Sequence, residues 1–404
     1  MVELKELSLG AVQMYKYKKI LAGTKNKILI SREKVFSNIV IDFLDDLSKI
    51  ISSQKNNEPE ITSFGFWCRK KNIILIKDKF NELDNNFGRG LGIHIAPSNV
   101  PTAFAFSLAF GMLSGNSNII KVSSKENFIT NKICFFFDKI FKKKKYNLLK
   151  FKNQIVSIDS NINTLEEIYK ICDFRLIWGS DHTISKIKSF KTKPDCVDLI
   201  FSDRYSISII NAQSIDKKKL INLVSDFYND TMLMDQNACT SPKIIFWRYY
   251  DKQKIHLFWK EFSKLIKLKY EFDFNKSYLK KNFLENACIN YSKSIKIIKN
   301  YNNAINVITL KKLPKKNQLF SNKFGNFFEF YAKDFKFLKK MNPEKLQSVS
   351  YYGIKKNVFL DIINLNPALN TMRRIVPIGR TLELDLYWDG YNIIEFLSKK
   401  IIIK

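Results

Sequence analysis

From Gly90 onward, short apolar runs alternate with helix-like segments, and this alternation constrains the fold more than any other feature of the chain. Strand-like runs cover residues 91–96, 118–122, 154–158, 174–178, 205–210 and 243–247. Helix-like patterns cover residues 102–113, 127–141, 164–172, 215–229 and 250–270. Because short buried strands separated by helices form parallel sheets with helices on both faces, we predict an α/β fold.

The pattern also suggests how the chain is divided. We expect residues 1–205 to form an N-terminal helical cap and a doubly wound parallel-sheet domain. Residues 206–370 are expected to form a second α/β domain, and residues 371–404 a C-terminal return. In that return, residues 381–387 alternate polar and apolar side chains, which predicts a strand with one buried face and a candidate contact in a homo-oligomer.

The formal net charge of +30 would ordinarily indicate a nucleic-acid partner. Only nine of the 68 basic residues are arginine, the lysines are dispersed, and no arginine–aromatic platform for bases is present, so we do not expect one. The lysine excess still favours anionic ligands such as nucleotide and CoA phosphates. No apolar run is long enough to span a membrane, and no signal-like core follows the first residues, so we expect a cytoplasmic protein.

The six cysteines contain no Cys-x-x-Cys pair, and with three histidines they offer no plausible zinc spacing, so no metal is expected. Five of them are expected to be small buried hydrophobic residues of a reducing compartment. Cys239 differs because it lies in the polar loop Asp-Gln-Asn-Ala-Cys-Thr-Ser-Pro, directly before the strand-like run 243–247. A solvated, ionised thiol at a strand edge is suited to acyl transfer through a thioester, although a structural cysteine is the simpler alternative.

A second polar loop, Ala-Pro-Ser-Asn-Val-Pro, follows the first predicted strand and contains Asn99. Its sequence is also ordinary turn chemistry. In a functional interpretation, the Asn99 side-chain amide and the backbone N–H of Cys239 would stabilise a tetrahedral oxyanion.

These loops belong to four ordered blocks, at residues 88–124, 234–242, 346–353 and 388–391. Over about residues 62–400 the blocks resemble the LuxC-type acyl-CoA reductases, a branch of the aldehyde dehydrogenase superfamily. The resemblance implies an aldehyde dehydrogenase-like fold, with a doubly wound cofactor domain (within 1–205) and an α/β catalytic domain (206–370). It also implies NADPH-dependent reduction of acyl-CoA to an aldehyde through an acyl-Cys239 intermediate. Homo-oligomerisation and partnership with an acyl-protein synthetase and an acyltransferase are further expectations from the family.

The resemblance also assigns the cofactor-binding residues. They lie in three loops that follow predicted strands: Pro97 and Ser98; Lys121, Ser123 and Ser124; Gly179 and Ser180. Ser124 stands where many aldehyde dehydrogenases carry a ribose-binding glutamate, which favours NADPH because repulsion toward a 2′-phosphate is removed and Lys125 can pair with it. Ile184 stands where the family turn often has a second glycine, so the pyrophosphate geometry departs from the family pattern.

The superfamily's Glu-Leu-Gly-Gly block, which supplies the base for thioester hydrolysis, has no match, because the corresponding region reads Leu-Ile-Phe-Ser-Asp-Arg-Tyr-Ser at residues 199–206. Its absence favours a thioester reductase over an aldehyde oxidase. His94 and His182 have no evident partner and are not assigned to catalysis; His94 is interpreted as a satisfied structural residue.

Two alternatives remain open. The acyl group could come from an acyl-protein or acyl-adenylate partner, and the acyl chain could be short or part of a surface-polysaccharide precursor. Alternatively, the chain could be a basic scaffold with a degenerate enzymatic core, as Ile184 and the lysine excess would allow.

Overall fold

The computed structural model describes residues 17–79, 85–158, 162–314, 322–365 and 372–402 of the 404-residue chain. They form two compact units. The first reaches to Ser202 and includes Asp385–Tyr387 and the described residues from Tyr391 onward, and the second comprises Asp203–Leu384 and Trp388–Gly390. Across these described ranges, no helix combines the length and apolar character needed to cross a membrane.

The first unit contains the helices and strands that precede Asp203. Its strands are β1 (Lys19–Gly23), β2 (Asn86–Gly88), β3 (Leu91–Ile95), β4 (Ser117–Val122), β5 (Asn153–Ser157), β6 (Phe174–Gly179) and β7 (Val197–Ser202). Its helices are α1 (Asn38–Ser52), α2 (Pro59–Trp67), α3 (Lys70–Asp78), α4 (Ala103–Leu113), α5 (Phe128–Phe141), α6 (Asn147–Lys152), α7 (Ile162–Ile171) and α8 (Asp181–Lys188), with a 3-10 turn at Lys144–Tyr146.

The first sheet has the strand order β1-β5-β4-β3-β6-β7 and is parallel except for the pairing of β1 with β5. The chain winds from β3 outward to β4 and β5, and then returns to place β6 on the other side of β3. The strand order therefore reverses between β3 and β6, and in doubly wound sheets ligands bind at the carboxyl ends of strands at such a switch point.

Apolar residues cover both faces of this sheet. One face packs residues of β3 and β6, such as Ile93 and Ile177, against Ile168 of α7 and Ile187 of α8. An aromatic cluster of α1 and α5 is also fully buried in this unit, with Phe43 contacting Phe137, Phe141 and Tyr146. Burial on both faces explains why β3 is apolar or small at every position except His94.

The predicted N-terminal helical cap is partly wrong. Residues 1–16 of it lie outside the described residues, and residues 19–23 form the edge strand β1, antiparallel to β5, rather than a helix. Farther along, residues 38–52 of the predicted cap do form a helix, α1. The short β1 segment was missed because its polar flanks give no strand period, and its pairing is determined by β5, far along the chain.

The second unit begins with β8. Its strands are β8 (Tyr205–Asn211), β9 (Pro242–Arg248), β10 (Ile295–Tyr301), β11 (Ile305–Leu310), β12 (Asn326–Tyr331), β13 (Leu346–Tyr352) and β14 (Arg374–Pro377). Its helices are α9 (Leu220–Thr231), α10 (Lys252–Lys269), α11 (Phe274–Tyr291) and α12 (Lys356–Leu365), with 3-10 turns at Ala212–Ser214, Met232–Met234 and Phe335–Lys340. The chain ends with β15 (Tyr387–Trp388), β16 (Tyr391–Asn392), α13 (Ile393–Phe396) and β17 (Ser398–Lys400).

The second sheet has the order β10-β11-β12-β9-β8-β13-β14 and is parallel except at β10–β11. Alternate residues of β9 enter different cores: Ile244 and Phe246 face one, Ile245 and Trp247 the other. Helices α9 and α10 cover the second of these faces. The amino ends of β8, β9 and β13 therefore lie side by side at one edge of this sheet.

The predicted strand at residues 381–387 is wrong; apart from Tyr387, which begins β15, these residues form turns and irregular structure. Side chains satisfy the backbone groups that a ladder would use. Asp230 accepts the N–H groups of Gly379 and Thr381 at 2.7 and 3.0 Å, and Arg374 donates to the carbonyls of Thr381 and Glu383. The suggestion that this segment is an oligomer contact stays a prediction, as does the functional assignment of the three predicted domains.

Candidate active site

The loop that carries Cys239 has an unusual backbone. Asp235 and Gln236 follow the Met232–Met234 turn and both have left-handed φ angles, 53° and 56°, which non-glycine residues adopt only when their surroundings hold them there. Gln236 is fully buried, and its side chain accepts the N–H of Gly325 at 2.7 Å and donates to the carbonyl of Asn326 at 3.2 Å. The start of the loop is thus fixed to the segment that leads into β12.

Lys243, near the start of β9, fixes the other end of the loop. Its buried ammonium group donates to the carbonyls of Gln236 and, at 3.3 Å, Asn322, and the Asn322 side chain donates back to the carbonyl of Lys243 at 2.9 Å. Burial lowers the pKa of Lys243 to about 7. A polar side chain of this kind is retained in a core when it satisfies carbonyls that would otherwise lack donors.

Ser206 holds the backbone of Cys239 itself. Its hydroxyl donates to the Cys239 carbonyl at 2.8 Å and accepts the N–H of Ser348 at 3.2 Å. One buried hydroxyl on β8 therefore connects the cysteine loop to β13. Hydrogen bonds that involve β8, β9 and β13 thus hold the backbone that carries the sulfur.

The Cys239 side chain is half-buried rather than solvated. Burial raises the pKa of its thiol to about 12, and the negative charge of Asp389 acts in the same direction. A hydrogen bond from the Gln347 side chain and the positive charge of Lys243 oppose this rise. The ionised thiol expected from the sequence is disfavoured in this arrangement, because burial of the loop and the charge of Asp389 both raise the thiol pKa.

The other cysteines are less uniform than expected. Cys68, Cys134 and Cys172 are buried, as predicted, but Cys196 and Cys288 are half-buried. No group of three or more histidine, cysteine, aspartate or glutamate side chains suited to a metal ion occurs within the ranges that the structure describes.

Asn99 lies in the loop after β3, in the first unit, and its side chain is exposed. Cys239 lies in the second unit, so the joint oxyanion site of these two residues stays a prediction. Pro97 and Ser98 share the Asn99 loop, and Ser98 is likewise exposed. The loop thus presents polar groups at the carboxyl end of the strand that flanks the switch point.

The remaining predicted cofactor residues follow the neighbouring strands β4 and β6. Lys121 is half-buried near the end of β4, where burial lowers the pKa of its amine. Ser123 accepts the backbone N–H of Lys125 at 3.2 Å, and Ser124 is exposed. Exposed polar residues thus follow β3 and β4 at one sheet edge, with Lys121 near the end of β4, and this arrangement is suited to a nucleotide.

The Gly179–Ser180 turn fits a pyrophosphate less well than the sequence suggested. Ser180 caps α8 by accepting the N–H of Thr183, and Asp181 places an exposed carboxylate in the first turn of the helix. That negative charge opposes an anion at the helix N-terminus. Ile184 packs into the core beneath α8, so its side chain does not obstruct the turn.

His94 is fully buried in β3, and burial lowers its pKa to about 4, so the imidazole is neutral. One ring nitrogen contacts the Asn118 side chain at 3.1 Å. The other, Nδ1, is buried with no hydrogen-bond partner among the described residues, so His94 is only half satisfied. His182 is exposed at the start of α8.

Sequence reasoning missed Gln347 and Asp389. Gln347 is the second residue of β13, and Asp389 lies in the turn between β15 and β16; both are buried, and both influence the Cys239 thiol. The sequence signal was present, because both residues lie in blocks that carried the family resemblance. Their role could not be assigned until the chain brought them to the cysteine.

The fold is that of the aldehyde dehydrogenases. Lactaldehyde dehydrogenase superposes with a TM-score of 0.61 at 11% identity, over 91% of this chain and 84% of that chain. Glyceraldehyde-3-phosphate dehydrogenase GapN from Methanocaldococcus jannaschii, in a complex with NADP, gives 0.59 at 12% identity, over 90% and 88%. At such identities the likeness establishes the fold alone.

The family model described as acyl-CoA reductase (LuxC) matches residues 76–298, more than half of the chain, and the chain therefore belongs to this family. Two similar relatives are the long-chain acyl-protein thioester reductases of Aliivibrio fischeri and Photorhabdus luminescens. They are 26% and 25% identical over 178 residues, which is 44% and 42% of this chain. The match spans 35% of the length of each relative.

Proposed function

We propose that this protein is an acyl thioester reductase that takes the acyl group of an acyl-CoA onto Cys239 and, with NADPH as reductant, releases it as an aldehyde. The observation that carries the proposal is the Cys239 loop. It is fixed by Ser206 and Lys243 and contacted by the Gln347 amide, in a chain of the acyl-CoA reductase family. A buried structural cysteine needs no such fixation.

In the proposed reaction, the Cys239 thiol loses its proton and the sulfur bonds to the acyl carbon. The carbon–sulfur bond of the donor thioester then breaks, and the departing thiolate takes up a proton. The Asn99 amide and the Cys239 N–H are the proposed donors to the oxyanion, and each such donor typically lowers the barrier by about 3–4 kcal/mol. No glutamate occurs between Glu167 and Glu261, so the region that corresponds to the Glu-Leu-Gly-Gly block contains no glutamate to act as a hydrolytic base.

A bound nicotinamide would supply the hydride that, together with a proton from solvent, converts the acyl-Cys239 thioester to a hemithioacetal. Breaking of the carbon–sulfur bond then yields the aldehyde and restores the thiol. The residues proposed to hold the nucleotide are those of the three loops at the switch point: Pro97, Ser98, Lys121, Ser123, Ser124, Gly179 and Ser180. Ser124 and Lys125, both exposed, favour a 2′-phosphate and hence NADPH over NADH.

The test is mass spectrometry of the intact protein after brief incubation with a long-chain acyl-CoA and no NADPH. We expect a mass increase of one acyl group, located on the peptide that contains Cys239, and aldehyde release when NADPH is added. The Cys239→Ala variant should acquire no acyl group. Cys288→Ala is the matched control, because it removes a half-buried cysteine of the same unit, and it should acylate normally. Acylation confined to Cys288, or none at all, contradicts the proposal.

The names of the relatives favour a second candidate, in which the acyl group comes from an acyl-protein rather than from CoA. The chemistry at Cys239 is the same, and an acyl-protein synthetase and an acyltransferase would then be partners. The acyl-attachment assay, repeated with an acylated carrier protein and with short and long acyl-CoA, ranks the donors directly. A cytoplasmic location remains a prediction from the sequence, and a homo-oligomeric state remains one from the family resemblance.

A further inference from the structure

Two sequence blocks without an assigned role meet at Cys239. Gln347 comes from β13 and Asp389 from the turn after β15, and the Gln347 Nε2 donates to the Asp389 carboxylate at 2.6 Å. The Gln347 side chain also lowers the pKa of the Cys239 thiol, and the next residue, Ser348, is joined to the Cys239 carbonyl through the Ser206 hydroxyl. Gln347 has no exposed surface and Asp389 almost none. Gln347 and Asp389 therefore form a buried, hydrogen-bonded pair beside the half-buried Cys239 thiol, within the second unit.

The direction in which the amide points is the important feature. A primary amide can present either its N–H groups or its oxygen to a neighbour, and the two ends have opposite effects on a developing thiolate. Because Asp389 accepts an N–H, it holds the NH₂ end on the side of the carboxylate and the sulfur. The Gln347 oxygen is buried and has no hydrogen-bond partner in the described part of the chain, so no other contact selects this orientation.

We propose, on the basis of the function proposed above, that Gln347 is a catalytic residue whose N–H stabilises the reacting sulfur, and that Asp389 is the positioning residue that fixes the Gln347 amide. The sulfur carries negative charge twice in each cycle. It does so when Cys239 loses its proton to attack the donor thioester, and again when the carbon–sulfur bond of the hemithioacetal breaks. One fixed N–H donor can stabilise the charge on sulfur in both steps, because a preorganised donor needs no rearrangement between them.

The charges around Cys239, Gln347 and Asp389 influence the pKa of the thiol, and this pKa can be measured. Cys239 is influenced by Asp389, Gln347 and Lys243. Asp389 is influenced by Gln347 and by three arginines, Arg204, Arg373 and Arg374, and burial raises the pKa of its carboxyl. Asp389 thus has two opposite effects on the sulfur: its charge disfavours the thiolate, whereas the amide that it orients favours it. Variants that separate the two effects test the proposal.

Asp389→Asn removes the charge and retains an acceptor oxygen for Gln347. Asp389 has a left-handed φ of 50°, which asparagine tolerates well, so the turn should persist. We expect the pH midpoint for alkylation of Cys239 by iodoacetamide to fall by about one unit, which is about tenfold faster alkylation below the midpoint. Adding Gln347→Leu to Asp389→Asn removes the donor at constant charge and should raise the midpoint again.

Mass spectrometry of the Cys239 peptide separates this thiol from the other five cysteines. Asp230→Asn, which removes another buried carboxyl of the same unit, is the matched control and should leave the midpoint unchanged. If the double variant does not fold, Gln347→Met in the Asp389→Asn background makes the same comparison. A midpoint that does not move in Asp389→Asn, or does not rise when the amide is removed, overturns the proposal.

Alkylation needs no acyl donor, so its outcome is independent of the proposed function. If wild-type protein fails to acquire an acyl group while the two midpoints shift as expected, the function is wrong and the Gln347–Asp389 arrangement stands. The acylation rate supplies the second readout. Its pH profile should move with the alkylation midpoint in each variant, which loss of stability alone would not produce.

Discussion

The candidate residues lie at the carboxyl ends of the strands in the first sheet and at the amino ends in the second. Their polar side chains differ in exposure. At the carboxyl ends of β3 and β4, Ser98, Asn99 and Ser124 are exposed. At the amino ends of β8 and β13, Ser206 and Gln347 are completely buried and hydrogen-bonded within the protein. The exposed polar groups of the first edge can hydrogen-bond a polar ligand. At the second edge, the polar side chains near Cys239 are already hydrogen-bonded within the protein. Substitutions should therefore affect binding at the first edge and reactivity at the second.

The largest effect is expected for Lys243→Met. The change leaves the carbonyls of Gln236 and Asn322 without the ammonium group, each at a cost of about 1–3 kcal/mol, and frees the cysteine loop. We expect acyl attachment to Cys239 to slow by about 100-fold, since a misplacement of about 1 Å is sufficient for that loss. The acyl-attachment assay measures it, and acylation at the wild-type rate would show that the loop does not depend on Lys243.

The lowered pKa of Lys243 should also make the free energy of unfolding depend on pH. Its pKa in the folded protein is about 7, below the ordinary 10.5, so between these values the unfolded chain binds more protons than the folded one. The free energy of unfolding should therefore rise with pH across this range, and the contribution is lost as the pH falls toward 7. Urea unfolding, followed by tryptophan fluorescence, should show a smaller rise in Lys243→Met than in wild type.

A smaller loss is expected for Ser206→Ala, which removes the hydroxyl between the Cys239 carbonyl and the N–H of Ser348. One such hydrogen bond contributes about 1 kcal/mol, so acyl attachment should slow by about fivefold with little change in melting temperature. Ser208→Ala is the matched control on the same strand, because Ser208 bonds the Ser350 hydroxyl and not the cysteine loop. Equal rates in the two variants would count against a role for Ser206 in positioning.

The same contrast explains what the sequence could predict. Six parallel strands, β3 to β6 with β8 and β9, were predictable because their apolar runs are local and buried, as in 243–247 of β9. The other parallel strands, β7 and β11 to β14, were not predicted. The loop containing Cys239 was also recognisable. The raised pKa of its thiol was not, because it depends on burial in the folded protein and on the charge of Asp389, more than one hundred positions along the chain. The segment 381–387 misled for a similar reason: Asp230 and Arg374, not a strand partner, satisfy its backbone.

At the first edge, Lys121→Met should weaken NADPH binding by about tenfold, the loss of one charge-assisted contact of about 1.5 kcal/mol. The pH midpoint for Cys239 alkylation should not change. Lys125→Met is the informative companion, because its loss should weaken NADPH and leave NADH unaffected. Quenching of tryptophan fluorescence measures both affinities, and persistence of binding at moderate salt would exclude the basic-scaffold alternative. Unaltered NADPH affinity in Lys121→Met would remove this residue from the nucleotide site.

The smallest effect, and the one that discriminates best between the two edges, is expected for Asp181→Asn. Its carboxylate lies in the first turn of α8, where it stabilises the helix but opposes an approaching pyrophosphate. Removing the charge should strengthen NADPH and NADH binding equally, by about two- to threefold at low ionic strength, and less as salt is added. The helix should lose about 0.5 kcal/mol in the same variant. Affinity that stays the same or falls would place the pyrophosphate away from the α8 N-terminus, and the Gly179–Ser180 turn would then have only the ordinary role of connecting a strand to a helix.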